Sequence, residues 1–99
     1  FVCKYMKLKE LFKSEKFWTV GRIRILNAYT GDESYCLLGG IDRCYLGARY
    51  REKIIKRVCS KISNEPVSRI NRRTHITAWN DDRKRKFSDV KKIVKDLDI

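Results

Sequence analysis

Ninety-nine residues carry 24 Lys/Arg against 12 Asp/Glu, a formal net charge of +12, and 42% of the chain is hydrophobic. That suits one domain of roughly 100 residues with its own core, residues 1–99, and excludes a second domain, a collagen-like fibre and wholesale disorder. No apolar run approaches the roughly 18–20 residues of a membrane span, so no membrane partner is expected.

The opening Phe1–Lys16 stretch lacks the apolar centre of a signal peptide. Met6 is a candidate initiator, which would make residues 1–5 upstream sequence. Tyr5, Leu8, Leu11 and Phe12 recur at helical spacing and predict a first helix near 3–14. The Arg22-Ile23-Arg24-Ile25 alternation predicts a short strand or hairpin near 18–26, with no obvious partner strand. Asn27–Glu33 is turn chemistry, and Asp32 or Ser34 is the expected N-cap of a second helix over 34–48. Leu37, Leu38, Ile41, Cys44, Tyr45 and Ala48 give that helix a broad apolar face. Its glycines Gly39, Gly40 and Gly47 each cost roughly 0.5–1 kcal/mol relative to alanine. On the helical wheel Cys36, Gly40, Arg43 and Gly47 form a small-residue strip where another backbone, or a ligand, can come close.

The third helix, 49–62, has the cleanest period: Tyr50, Ile54, Ile55, Val58, Cys59 and Ile62 on one side, Arg49, Lys53, Lys56 and Ser60 on the other. Arg51 falls on the apolar side, so either the helix starts after it or its guanidinium reaches a carboxylate such as Asp42. Pro66 closes the helix. Val67–Thr77 has no clear period because Arg69, Arg72 and Arg73 interrupt it. A last helix is expected over 88–97, with Ser88 as N-cap and Val90, Ile93, Val94 and Leu97 as its buried stripe. The predicted fold is mainly α: a compact small domain of three to four helices.

Cys3, Cys36, Cys44 and Cys59 form no C-x-x-C pair, and His75 is the single histidine, so no metal site and no cofactor are expected. Cys44 and Cys59 fall on apolar stripes. They read as core thiols, which implies a reducing, cytoplasmic compartment; a disulfide framework is the alternative.

Trp18…Gly21, Tyr35-Cys36-Leu37-Leu38-Gly39-Gly40-Ile41, Ile76-Thr77-Ala78-Trp79-Asn80-Asp81 and Phe87-Ser88-Asp89-Val90 together resemble a family of small proteins of actinobacteria and their phages. Its pattern is tryptophan–cysteine–x–x–glycine–alanine followed by tryptophan–asparagine–aspartate before a closing helix. Tyr35 stands at the first tryptophan and Gly40 at the alanine. The resemblance implies a shared small fold and brings no activity with it.

Three functional readings follow. Cys36, in the first turn of the second helix, could be a nucleophile with its pKa lowered by the helix dipole, with His75 and Asn80 or Asp81 downstream as base and orienting group of a cysteine hydrolase. Against this, Trp79 reads more simply as a core plug, with Asn80 and Asp81 turning the chain and satisfying helix-end amides. The Cys36, Gly40, Arg43 and Gly47 strip could instead hold a small phosphorylated ligand such as a nucleotide signal. The favoured reading rests on charge: residues 49–75 hold nine basic and two acidic side chains, whereas 32–48 hold one and three. Arg49, Lys53, Lys56, Arg57, Lys61, Arg69, Arg72 and Arg73, with Arg83, Lys84 and Arg85 further on, are the candidate polyanion-binding residues. Six such contacts to duplex phosphates make affinity fall with roughly the fifth power of salt. The expectation is a non-enzymatic binding protein, encoded by a phage or mobile element. Its partner would be RNA or DNA, or an acidic groove of a nucleoprotein enzyme, and it could inhibit a nucleic-acid-guided defence nuclease.

Overall fold

Leu8, Phe12, Leu37, Ile41, Ile55, Val58, Ile76 and Val90 are completely buried in the computed structural model, which describes residues 6–63 and 65–99. Each such side chain contributes roughly 1.5–3 kcal/mol of hydrophobic stabilisation. All but Phe12, which follows the first helix, come from five helices: α1 (Leu8–Leu11), α2 (Leu37–Cys44), α3 (Ala48–Ile62), α4 (Arg72–Asn80) and α5 (Phe87–Leu97). A two-stranded antiparallel hairpin, β1 (Arg24–Leu26) and β2 (Glu33–Tyr35), lies between α1 and α2. The architecture is the mainly α domain with a short hairpin that the periodicity predicts. Helix α2 sits centrally, packed by α1, α3 and α4, and α5 packs against α3 and α1.

Several boundaries differ from expectation, each for a physical reason. The first helix is one turn long, not 3–14; its residues 3–5 lie outside the described residues. The chain leaves the helical path at Phe12, whose ring is seated on Gly40. The second helix spans Leu37–Cys44 rather than 34–48, because Glu33–Tyr35 pairs with β1 and Tyr45 turns out of the helix with its ring buried. Its cap is neither Asp32 nor Ser34: Cys36 Sγ accepts the Gly39 amide at 3.2 Å, while the Ser34 hydroxyl donates to Lys16 O at 2.6 Å. The strand near 18–26 does have a partner, in register Arg24↔Tyr35, Ile25↔Ser34, Leu26↔Glu33. Its turn is closed by Asn27, whose Oδ1 accepts the amides of Tyr29 and Thr30, and by Gly31 at φ +75°. The aperiodic 67–77 stretch folds as a 3₁₀ turn, Arg69–Asn71, running into α4. Helix α5 starts at Phe87, since the Asp89 carboxylate accepts the Lys86 amide at 3.0 Å and fixes the first turn before Ser88. Tyr50, assigned to the apolar face of the third helix, is 57% exposed and leans on Tyr45 at 5.2 Å between ring centroids.

The α2 glycines admit the protein's own chain. A Cβ at Gly39 would lie 2.2 Å from the Ile23 carbonyl oxygen, and one at Gly40 would lie 2.7 Å from Phe12 Cζ. The first obstacle is backbone and the second a side-chain end. Gly39→Ala is therefore expected to lower stability by roughly 1–3 kcal/mol, and more than Gly40→Ala, in urea unfolding.

Candidate nucleic-acid interface

The Trp79-Asn80-Asp81 unit has a structural task. Ile76 and Asn80 form the inner edge of α4, and Asn80 is completely buried. Its Oδ1 accepts the indole N–H of Trp18 at 2.7 Å and the Leu37 amide at 3.0 Å; its Nδ2 donates to Thr19 O at 3.1 Å and to Asp81 Oδ1 at 3.0 Å. Asp81 also accepts the Gly21 amide at 2.9 Å. One side chain thus ties the 18–21 segment, the start of α2 and the end of α4 into a single node. The Leu37 amide is one of the free donors at the start of a helix, so the expected helix-end satisfaction is met. Asn80 is the fully enclosed residue of the unit, while Trp79 packs against the core from its edge. Trp79 is half-buried beneath Arg85, whose guanidinium lies 3.8 Å from the ring centroid and whose Nε donates to Trp79 O at 2.8 Å.

This node argues against the hydrolase arrangement. Asn80 has both ends of its amide committed, and no hydrogen bond joins Cys36 to His75 among the described residues. Cys36 is the N-cap rather than a first-turn residue, and burial raises its thiol pKa despite the Gly39 amide that favours the thiolate. Cys36, Cys44 and Cys59 are free and buried; Cys3 lies outside the described residues. Burial lifts Cys44 from 9.0 to about 11. Its stabilising contribution is therefore complete below pH 9 and is lost as pH rises towards 11, because the unfolded thiol ionises first. A thiol reagent at neutral pH is expected to leave all three untouched until denaturant is added, which a mass-resolved alkylation time course reads.

The strip of Cys36, Gly40, Arg43 and Gly47 is not one cavity: Cys36 and Gly40 are covered by the protein itself, Arg43 and Gly47 are exposed, and a Cβ at Gly47 would meet open space. A recess of about 570 Å³ lies elsewhere, between Tyr45, Tyr50 and Ile99. Its cations are occupied, with Lys7 Nζ 3.7 Å from Asp98 and Arg57 donating to Leu97 O at 2.7 Å. No group of three or more His, Cys, Asp or Glu side chains is placed to hold a metal ion among the described residues.

The basic side chains divide into paired and unpaired sets. Arg73 makes two hydrogen bonds to Asp42, at 3.1 and 2.6 Å, which raise its pKa, and Arg51, inside α3, lies 3.8 Å from the same carboxylate, the second of its two expected placements. Lys61 is 3.6 Å from Asp96, and Arg85 is held over Trp79. Arg83 and Lys84 are exposed on the turn before α5 and line none of the recesses beside α3. Arg49, Lys53, Lys56, Arg69 and Arg72 have no described carboxylate within 4 Å of their charged ends. The fold gathers these five. Arg49, Lys53 and Lys56 recur every three or four residues on the exposed side of α3, about 10 Å along its axis. Arg69 joins Arg49 and Lys53 around a shallow recess of about 310 Å³, and Arg72 joins Lys56 around a smaller one of about 90 Å³. Glu52 and Glu65 each border one recess, leaving cations in excess at both. On the α5 side, Lys56, Arg57 and Lys61 line a third recess of about 400 Å³.

The sequence places basic residues along α3 but does not show which of the candidate cations are spent in ion pairs. Arg73 and Asp42 are 31 residues apart, and only the packing of α4 on α2 brings them together. No helix among the described residues is long and apolar enough to cross a membrane. Comparison with protein-family models, with curated proteins and with solved structures returns no match.

Proposed function

We propose that this chain is a non-enzymatic protein that grips the phosphate backbone of RNA or DNA through the exposed side of α3 and the arginines facing it. One observation carries the reading: five cations without carboxylate partners among the described residues, Arg49, Lys53, Lys56, Arg69 and Arg72, line two recesses along one helix. Guanidinium and ammonium groups spaced along a helix can reach successive phosphates without reading bases. Binding is then governed by backbone charge, and a protein covering those phosphates would block a nucleic-acid-guided nuclease that needs them.

The test is fluorescence anisotropy with labelled duplex and single-stranded DNA and RNA of about 20 nucleotides at about 50 mM salt. Binding competed by unlabelled nucleic acid but not by polyglutamate supports the reading. Absent binding overturns it, and equal competition by polyglutamate points to an acidic protein groove instead.

A further inference from the structure

Every residue from Val20 to Gly31 is exposed, so β1 and the turn after it form an exposed arm, while β2 is anchored to the helical body through the buried Tyr35. The arm is apolar to a degree its exposure does not explain: Ile23 and Leu26 are 53% and 58% exposed, and Tyr29 at the tip is completely so. Ile23 and Ile25, 53% and 39% exposed on the same face, leave a pair of adjacent aliphatic side chains uncovered there. The arm also has an open edge. The Cys36 amide donates to Ile23 O at 3.1 Å and the Asn27 amide to Asp32 O at 2.8 Å, so residues 23, 25 and 27 bond towards β2. The N–H and C=O of Arg24 and Leu26 consequently point away from it. The other edge of β2 is taken, since the Thr19 amide donates to Tyr35 O at 3.0 Å.

We infer that the free edge of β1 accepts an extended partner segment as an added antiparallel strand, and that this segment alternates acidic with apolar residues. The alternation follows from the arm's own faces: Arg24 and Leu26 lie on one side of β1 and Ile23 and Ile25 on the other, with Arg22 in the bend that leads into the strand. Arg22 has no described carboxylate within 4 Å, and Arg24 is only loosely matched to Glu33 at 3.7 Å. Glutamates opposite the two arginines complete cross-strand ion pairs, while isoleucines opposite Ile23 and Ile25 cover apolar surface. A second copy of this +12 chain fits poorly, because it brings arginines of its own. A nucleic acid leaves the aliphatic face uncovered. The inference is independent of the α3 interface.

The probe is the capped peptide Thr-Val-Ile-Glu-Ile-Glu-Thr, added to the intact protein while backbone amide exchange is followed by NMR. Exchange at Arg24 and Leu26 is expected to slow about tenfold when peptide exceeds its Kd about tenfold. Ile25 and Asn27, already bonded to β2, should change less. The same peptide with lysine for glutamate should give no protection, and Arg22→Glu should weaken binding about threefold. Unchanged exchange at Arg24 and Leu26 overturns the inference. So does protection confined to Arg49 and Lys53, or protection that grows with protein concentration without peptide.

Discussion

Asn80→Ala is expected to remove roughly 3–5 kcal/mol of folding stability, a large share of the roughly 5–15 kcal/mol typical of a domain. The truncation strands the buried Leu37 amide and leaves the part-buried indole N–H of Trp18 and carbonyl of Thr19 without their partner. Trp18→Phe removes a single donor of the same node and should cost only about 1–2 kcal/mol. Guanidinium unfolding of both variants, followed by circular dichroism, checks the ratio. Near-equal losses would mean that ring packing against Phe87, rather than the amide node, secures the 18–21 segment.

The second large effect is on binding. The combined variant Arg49→Gln, Lys53→Gln, Arg69→Gln should bind duplex nucleic acid roughly 100-fold more weakly near 0.15 M salt, because each phosphate contact is worth about 1 kcal/mol of counterion release there. Stability should stay within about 0.5 kcal/mol, since all three side chains are exposed and make no ion pair among the described residues. Arg73→Gln is the contrasting control. It breaks the bonds to Asp42 that link α4 to α2, so it should affect stability more than affinity.

How much of this could be read from the chain depended on how each element meets the core. Helices α3 and α5 were legible because Ile54, Ile55, Val58 and Val90, Val94 recur at the helical period and are buried there. Helix α4 was not, because Arg69, Arg72 and Arg73 mask a face of which only Ile76 and Asn80 are buried. The hairpin's partner strand was hidden because β1 is exposed on both faces and β2 supplies only Tyr35 to the core. Asn80 could not be found by any hydrophobic pattern, since an asparagine beside two aspartates reads as a turn. At the interface the charges themselves were legible on α3. The pairing that withdraws Arg73 and Lys61, and the approach of Arg69 and Arg72 to α3, depend on tertiary packing alone.

The most direct measurement is the salt dependence of duplex binding by the native protein and by the triple glutamine variant. Five phosphate contacts predict a log–log slope of about −4.5 for the native chain and about −1.8 for the variant. A native slope near zero, or one that the three substitutions leave unchanged, would contradict the claim that this face of α3 is where the polyanion is held.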